Sequence, residues 1–373
     1  MLLFNCPKVN AQQSEAISPR LGSRMVVDTE NNRIVLFGGY NLVADREYFD
    51  DTWIFSPTDN SWTSLLVDGP SPRGAHAMAY SPEQGIILLF GGMFDTTRLD
   101  DTWVFDCATD IWTQIETDIA PEGRSDSDIV FDPVRGVFIL YGGWGDNNGF
   151  QSDTWELNPE TKTWSMYDTG DTPGPMYGQR LEYDTMNERV MLYGGHLRSP
   201  ISREYIKDLW YYYPDNSSWV KSATMDKLHG RYWTAAAFSP QFSSLVIFGG
   251  IYGEGAINET WILNTNTMSW TQLVTSDSPS RRVISDMVYV ETQSCFILFG
   301  GGGLIGDHYE QYNDTWKLDP VTWTWSRIQT SYTTSERTQL TEQSIIGYQI
   351  STIITGIGLL ILFKRLEFFN DSG

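Results

Sequence analysis

The sequence predicts an all-β protein built from six copies of a four-stranded unit, followed by one C-terminal transmembrane α-helix. Three observations lead to this prediction. Gly-Gly pairs recur at steps of 53, 51, 52, 55 and 51 residues, a tryptophan motif follows every pair, and an uncharged apolar run lies near the C-terminus. The chain has 373 residues, 14% of them aromatic. That aromatic content excludes wholesale disorder.

Charge and cysteine content exclude two further classes. The formal net charge is -22, and a surface this acidic repels phosphate backbones, so we expect no nucleic-acid partner. The three cysteines, Cys6, Cys107 and Cys295, are too few and too scattered for a disulfide scaffold.

The glycine pairs mark the end of one strand in each copy. Each pair follows a short apolar run rich in β-branched or aromatic residues, such as IVLF or FILY, which is typical of a strand buried on both faces. The pairs are Gly38 and Gly39, Gly91 and Gly92, Gly142 and Gly143, Gly194 and Gly195, Gly249 and Gly250, Gly300 and Gly301.

Two further strands follow, each carrying a tryptophan. The first has a DTW-type motif, and the second tryptophan lies nine residues later in every copy, with a turn-rich segment between them. A fixed turn length fixes the register of two antiparallel strands. The pairs are Trp53 and Trp62, Trp103 and Trp112, Trp155 and Trp164, Trp210 and Trp219, Trp261 and Trp270, Trp316 and Trp325.

A fourth strand precedes each apolar run. It opens with an arginine in five copies and with Met176 in the fourth copy. The arginines are Arg20, Arg73, Arg124, Arg231 and Arg282. We name the four strands a, b, c and d in chain order. Because the opening arginine and the motif aspartate recur, we expect both to be structural: the arginine to pair with an acid, and the aspartate to bond turn backbone.

Four-stranded units repeated at about fifty residues predict a six-bladed β-propeller. With its glycine pairs and two tryptophan sets, the chain resembles the kelch-repeat family from Pro19 to Ile328. The expected blades are 19–71, 72–121, 122–173, 174–228, 229–278 and 279–328. Members of that family often close the ring by exchanging a terminal strand; no such extra strand is evident in the sequence, and the mode of closure is left open.

The C-terminal segment predicts a membrane anchor. Residues 345–363 contain no charge and are just long enough to cross the hydrocarbon core as a helix. Lys364 and Arg365 follow, which places the tail 364–373 in the cytoplasm and the propeller on the extracellular or lumenal side. Residues 329–344 are polar and read as a stalk. The alternative for 345–363 is a buried helix or an edge strand.

The N-terminal residues 1–18 are either a disordered tail or the remnant of a signal peptide whose start is missing from the sequence. If the propeller lies outside the cell, the Asn-X-Ser/Thr motifs at Asn216, Asn258 and Asn313 are candidate N-glycosylation sites. Such short motifs arise often by chance, so they carry little weight.

No catalytic or metal-binding motif is found. The four histidines do not lie at metal-ligand spacing from a cysteine or from one another, so we expect no metal and no cofactor. His76 stands where other copies carry Ser, Gln or Thr and is more simply a structural residue. Galactose oxidase shares the propeller fold implied by the resemblance, but its Cys, Tyr and His constellation does not map onto this chain.

Function should lie where the copies differ. The b–c and d–a segments share one end of the propeller, which we call the loop face, and the b–c segments are rich in Tyr, Trp, His and Arg. The candidate ligand-binding residues there are Tyr40, Arg46, Tyr48, Phe94, Arg98, Trp144, His196, Arg198, Tyr205, Tyr252, His308 and Tyr309, with Met93 and Tyr312 beside them.

The predicted function is therefore non-enzymatic recognition of a protein or a glycan by a membrane-anchored propeller. Alternatives are a carbohydrate-active enzyme of the galactose-oxidase or sialic-acid-epimerase type and a structural cell-surface component. Convergent ionisable residues in a deep axial pocket would favour the enzyme, whereas a flat aromatic surface would favour binding. Near the axis, strand a carries Arg24, Asp128, Arg180 and Asp286, which we expect to form a solvated, self-neutralising lining.

Overall fold

The computed structural model describes residues 16–335, apart from 44–45, 147–148, 168, 199–202, 223–227, 254 and 306–307. Six antiparallel sheets, each with the strand order a-b-c-d, follow one another along the chain. The prediction of a six-bladed all-β propeller is confirmed. The described part of the chain holds two short 3-10 helices, Pro214–Asn216 and Glu291–Gln293.

The strand bounds repeat closely from blade to blade. Strands a are Arg24–Asp28, Ala77–Ser81, Asp128–Asp132, Arg180–Asp184, Ala235–Ser239 and Asp286–Val290. Strands b are Arg33–Phe37, Ile86–Phe90, Val137–Tyr141, Arg189–Tyr193, Ser244–Phe248 and Cys295–Phe299. Strands c are Thr52–Ser56, Thr102–Asp106, Thr154–Asn158, Trp210–Tyr213, Thr260–Asn264 and Thr315–Asp319. Strands d are Ser61–Leu65, Ile111–Ile115, Thr163–Tyr167, Ser218–Lys221, Ser269–Leu273 and Thr324–Ile328.

Short strands in the b–c and d–a segments build the loop face. The b–c segments hold Tyr40–Asn41 with Glu47–Tyr48, Met93–Phe94 with Thr97–Arg98, Trp144–Gly145, His196–Arg198 with Arg203–Tyr205, Ile251–Tyr252 with Gly255–Ala256, and Gly302–Ile305 with His308–Gln311. The d–a segments contribute Arg124–Ser125 and Met176–Tyr177, which pair with the b–c strands of their own blades.

The blades pack around a common axis. Each strand a contacts the strands a of both neighbouring blades, so the six inner strands form a closed ring. Six apolar clusters fill the gaps between successive blades, including the gap between blades six and one. One small sheet cannot bury both of its faces, and this packing buries them for all six.

The glycine pairs connect neighbouring blades, and all twelve glycines have positive φ. A Cβ on Gly38 would lie 2.6 Å from the carbonyl oxygen of Arg73 in the next blade, so no larger residue fits there. The N–H of Gly39 donates to that same oxygen at 2.8 Å. The last copy repeats the bond across the closure, with the Gly301 N–H donating to the carbonyl of Arg20 at 2.9 Å.

The opening arginines are structural, and the motif acid has a different role from the one expected. Arg124 is buried and donates to both carboxylate oxygens of Asp153, at 2.6 and 2.9 Å. The indole N–H of Trp155 donates to the same carboxylate at 2.7 Å. The acid thus joins the arginine to the c-strand tryptophan instead of bonding turn backbone. Equivalent bonds occur in blades one, two, five and six.

The d-strand tryptophans bond across the blade interfaces. The indole N–H of Trp164 donates to the hydroxyl of Thr102 in the preceding blade at 3.1 Å. Trp62 does the same across the closure, donating to Thr315 of blade six at 3.1 Å. In blade four, Leu209 replaces the threonine and offers no hydroxyl to the next blade.

The ring is closed by an extra strand that the sequence did not indicate. Ser331–Thr334 pairs in parallel with Ser61–Leu65, on the outer edge of blade one. The hydroxyls of Thr63 and Thr333 lie 2.8 Å apart across this pair. The start of the segment expected to be a stalk is therefore a fifth strand of blade one.

The predicted transmembrane segment 345–363, the tail and residues 1–15 lie outside the described residues. Within the described part of the chain, no helix has both the length and the apolar composition to cross a bilayer.

Candidate functional site

Seven rings from blades three, four and five meet on the loop face, and we call them the aromatic cluster. They belong to Trp144, Phe150, Tyr177, His196, Tyr205, Tyr232 and Trp233. The Tyr177 ring is central: its centroid lies 4.7 Å from Phe150, 5.3 Å from His196 and 5.7 Å from Tyr232. Tyr205 and Tyr232 are stacked with a 16° angle between their planes and 5.5 Å between centroids.

Backbone pairing holds these rings in place. Tyr177 lies opposite His196, and His196 lies opposite Tyr205, so one three-stranded sheet presents three of the rings. Tyr232 bridges to Ile251, which ties the d–a segment of blade five to its own b–c hairpin. The Arg98 guanidinium of blade two lies 4.7 Å from the centre of the Trp144 ring and extends the cluster towards blade two. Rings held by paired strands lose little freedom when a ligand binds.

A closed ring of backbone hydrogen bonds lies at the axis beneath this cluster. The N–H of one residue from each blade donates to the carbonyl of its equivalent in the preceding blade, at distances of 2.8 to 3.1 Å. The six residues are Gly22, Ala75, Asp126, Gly178, Trp233 and Ile284, and all have positive φ. These bonds fix the backbone positions from which the side chains of this ring extend.

Asp126 lies on this ring and contacts the aromatic cluster. One carboxylate oxygen accepts from the Trp233 indole N–H at 2.8 Å, and the other accepts from the Ser125 hydroxyl at 2.9 Å. Burial raises the pKa of Asp126 above its ordinary value, despite these two bonds. The carboxylate therefore orients the Trp233 ring at the edge of the cluster.

Four charged side chains cross the axis deeper in the molecule. Arg24 pairs with Asp128 and, at 3.4 Å, with Asp286, while Arg180 pairs with Asp286 at 3.0 Å. The four groups neutralise one another, as expected, but only 7% to 11% of each side chain is exposed, so they are largely buried and not fully solvated. Burial raises the pKa of Asp128 to about 6, against the opposing charge of Arg24.

The predicted ligand-binding residues differ in burial and in whether they join the aromatic cluster. Trp144, His196 and Tyr205 belong to the aromatic cluster. Arg46, Phe94, Tyr252, His308 and Tyr309 are exposed and lie outside it, and Tyr48 and Arg98 are half-buried. Tyr40 is buried, with 6% of its surface exposed, and supports the neighbouring Tyr48 at 5.5 Å. The side chain of Arg198 lies outside the described part of the chain.

Four members of the aromatic cluster were not among the predicted residues: Phe150, Tyr177, Tyr232 and Trp233. Three of them lie in d–a segments, directly after the opening position of strand a. The two positions there read Leu-Gly, Gly-Ala, Ser-Asp, Tyr-Gly, Tyr-Trp and Val-Ile in the six copies. This variation between copies could have identified Tyr177, Tyr232 and Trp233 as candidate binding residues.

The described residues contain no group of three or more His, Cys, Asp or Glu side chains arranged to hold a metal ion. The axial aspartates are paired with arginines, and they also accept backbone N–H groups, Met25 for Asp286 and Leu181 for Asp128. Carboxylates used in this way are fixed in place and serve the fold.

Three relatives share part of this chain. The Mei4-dependent protein 6 of Schizosaccharomyces pombe is 23% identical over 239 residues, covering 57% of this chain and 34% of the relative. The multiple epidermal growth factor-like domains protein 8 of Homo sapiens is 28% identical over 197 residues, and that of Mus musculus is 28% identical over 200 residues. Each match covers 50% of this chain and 7% of the relative, so the chain corresponds to a small part of those proteins.

A family model gives the wider match. The model described as the KLHDC2/KLHL20/DRC7 Kelch-repeats domain matches residues 5–195 and 134–356, which together include all six blades. The repeat spacing, the glycine and tryptophan positions and the propeller agree with this match. The chain belongs to this kelch-repeat family.

Proposed function

We propose that the chain is a non-enzymatic recognition module that binds a protein partner through the loop face, with the aromatic cluster as the main contact. The observation that carries the proposal is the continuity of the cluster across three blades, built from positions where the copies differ. Tyr, Trp and Arg are the residues most enriched among those that dominate protein–protein binding energy. The kelch propeller fold is itself consistent with an interaction module.

The arrangement of the rings favours a protein over a glycan. Most ring pairs in the cluster are tilted or edge-to-face, so the rings interlock instead of forming a row of parallel faces for stacking on sugars. Only Tyr205 and Tyr232 are stacked. An interlocked, rigid patch suits the centre of a protein interface.

The test is a screen of the purified chain against arrays of proteins and of glycans. We compare the wild type with the double variant Tyr205→Ala/Tyr232→Ala and with a matched control, Val134→Ala, whose side chain is exposed at an a–b turn away from the loop face. The expected result is a protein ligand whose affinity falls at least about tenfold in the double variant and is unchanged in the control. Circular dichroism checks that the double variant folds.

Each other outcome has a definite meaning. If only glycans bind, the ligand is a sugar and the proposed protein partner is wrong. Binding that survives the double variant but is lost in Tyr309→Ala, in blade six, would move the site to another sector of the loop face. Turnover of an array substrate would replace recognition with catalysis.

We further propose that residues 345–363 anchor the chain in a membrane, with the propeller outside and the tail inside. The support is the uncharged 19-residue length and the one-sided basic flank at Lys364 and Arg365. Protease added to intact cells should cut the propeller or its linker and spare an epitope on the tail. Protection of the propeller in intact cells would contradict this topology.

A further inference from the structure

An axial cavity opens on the face opposite the loop face. Its volume is about 360 Å³, and it runs from the axial charges to the a–b turns, lined by the strand a of every blade. The four charged side chains Arg24, Asp128, Arg180 and Asp286 form its floor. The ring of backbone hydrogen bonds lies on the other side of that floor, so the cavity is separate from the aromatic cluster.

The walls of the axial cavity are largely apolar, whereas its rim is aromatic. Val26, Ala79, Val130, Ala237 and Met287 line the walls. Tyr80, Tyr183 and Tyr289 stand nearer the a–b turns, with Glu291 beside them. Apolar walls suit an alkyl chain, and tyrosine rings and a carboxylate at the rim suit an incoming cation.

One wall residue breaks the pattern of the repeat. At the third position of strand a, five blades carry valine or alanine, and blade four carries Glu182. The valines and alanines are Val26, Ala79, Val130, Ala237 and Val288. Because five blades form without a carboxylate at this position, the fold does not require one. Glu182 is therefore a candidate for function.

Glu182 is also an acidic group in the wall of the axial cavity, deeper than Glu291 at the rim. The two arginines and the two aspartates of the floor neutralise one another, whereas Glu182 adds a carboxyl that forms no ion pair with the arginines of the described residues. One of its oxygens accepts the Phe238 N–H at 3.2 Å. Burial, and then the neighbouring Asp128 and Asp286, raise the pKa of Glu182 well above its ordinary value, against the opposing charge of Arg24. These effects favour the neutral form of the carboxyl.

We propose that the axial cavity binds an alkylammonium group, with the ammonium against Glu182 and the alkyl chain along the apolar walls. Binding replaces the proton of the Glu182 carboxyl with the bound cation, and that proton passes to the buffer. A divalent metal ion fits less well, because it requires several oxygen ligands and the two aspartates are already paired with arginines. The group comes from a lysine side chain of a partner protein or from a free diamine.

The experiment is isothermal titration of the full chain with three probes. Nα-acetyl-lysine methylamide presents a lysine side chain, cadaverine is a free diamine, and Nα-acetyl-norleucine methylamide is the neutral control of the same shape. We expect the first two to bind and the norleucine compound to bind at least about tenfold more weakly. The relative affinity of the lysine and diamine probes distinguishes the two sources.

The pH dependence tests the role of Glu182. Affinity should rise with pH, because burial raises the pKa of the Glu182 carboxyl above its ordinary value, while the lysine ammonium, with a pKa near 10.4, stays charged. The binding enthalpy of the wild type should change with the ionisation enthalpy of the buffer, which reports the released proton. Glu182→Gln should lose at least about tenfold in affinity and this pH dependence.

The matched control is Glu160→Gln, the same charge change at an exposed c–d turn on the same face, and it should bind as the wild type does. Equal binding of the lysine and norleucine compounds would overturn the proposal, as would alkylammonium binding without proton release. Both results come from the wild type alone, so they stand even if Glu182→Gln fails to fold. Neither bears on the loop face, so the outcome is independent of the proposed function.

Discussion

Blade four differs from the other five blades in the contacts that hold it. In the five, a buried arginine pairs with the motif acid, and that acid also accepts the c-strand tryptophan. In blade four, Met176 takes the arginine position, and Asp208 pairs with Lys221, whose side chain is 54% exposed. Exposed ion pairs contribute little to stability, and the described residues of blade four show no buried pair between the opening position of strand a and the motif acid.

The same blade supplies much of the two candidate sites. Tyr177, His196 and Tyr205 belong to the aromatic cluster, and Glu182 lies in the axial cavity. Met176 remains fully buried in the apolar cluster between blades three and four, so packing against a neighbour replaces the missing ion pair. In a repeat protein, neighbours can hold one irregular unit in place, and that unit is free to carry function.

The largest expected effect comes from the c-strand tryptophans. Trp155→Ala in blade three should lower the free energy of unfolding by about 3–5 kcal/mol, because it removes a buried ring and leaves a cavity. Trp210→Ala in blade four should cost at least about 1 kcal/mol less, since Trp210 is only half-buried. Urea unfolding followed by circular dichroism measures both. Equal losses would contradict the difference between the two blades.

The next effect concerns the arginine. Arg124→Met gives blade three the residue of blade four and should cost about 3 kcal/mol, because the carboxylate of Asp153 is left without its partner. Burial opposes ionisation of Asp153, whereas Arg124 holds its pKa below the ordinary value, so removing Arg124 takes away the main group that stabilises the buried carboxylate. The double variant Arg124→Met/Asp153→Asn should recover at least about 1 kcal/mol in the same urea experiment. If the double variant recovers no free energy of unfolding, the unpaired carboxylate of Asp153 is not the cause of the loss.

The repeated positions explain why the fold was predictable. The glycine pairs and both tryptophan sets recur at nearly constant spacing, because each must meet the same neighbour in the next blade. The closing strand Ser331–Thr334 was not predicted. It is short and polar, and it pairs on an outer edge, so it carries no apolar alternation to reveal it.

The candidate sites were less predictable than the fold. The loop face and three members of the aromatic cluster follow from the sequence, because loop residues that differ between copies are good candidates. Tyr177, Tyr232 and Trp233 were not predicted, because they lie beside the opening of strand a, where the recurring arginine indicates a structural role. The burial of Arg24 and Asp128 was not predicted, because spacing along the chain does not show how narrow the axis is.

The smallest effect is a pH dependence that His76 adds to blade two. His76 is fully buried, and burial together with Arg73 and Arg24 lowers its pKa well below the ordinary value of 6.5. Below pH 6.5 the unfolded chain therefore binds a proton that the folded chain does not, and stability falls as the pH falls. His76→Ser, which carries the residue of blades one, three and six, should reduce the loss between pH 7.5 and 5.5 by about 1 kcal/mol. Urea unfolding at the two pH values measures this loss. If the free energy of unfolding falls by the same amount in the wild type and in His76→Ser, the neutral, buried state of His76 is contradicted.

The central claim is that the described residues of blade four lack the buried arginine–acid–tryptophan contact of the other five blades, which leaves its strands less stable, and hydrogen exchange of the unmodified chain tests it most directly. Mass spectrometry compares peptides covering strands c and d of blade four, residues 210–221, with the matching residues 154–167 of blade three. We predict exchange about tenfold faster in blade four, which corresponds to about 1.4 kcal/mol less opening free energy. Equal protection in the two blades would contradict the claim.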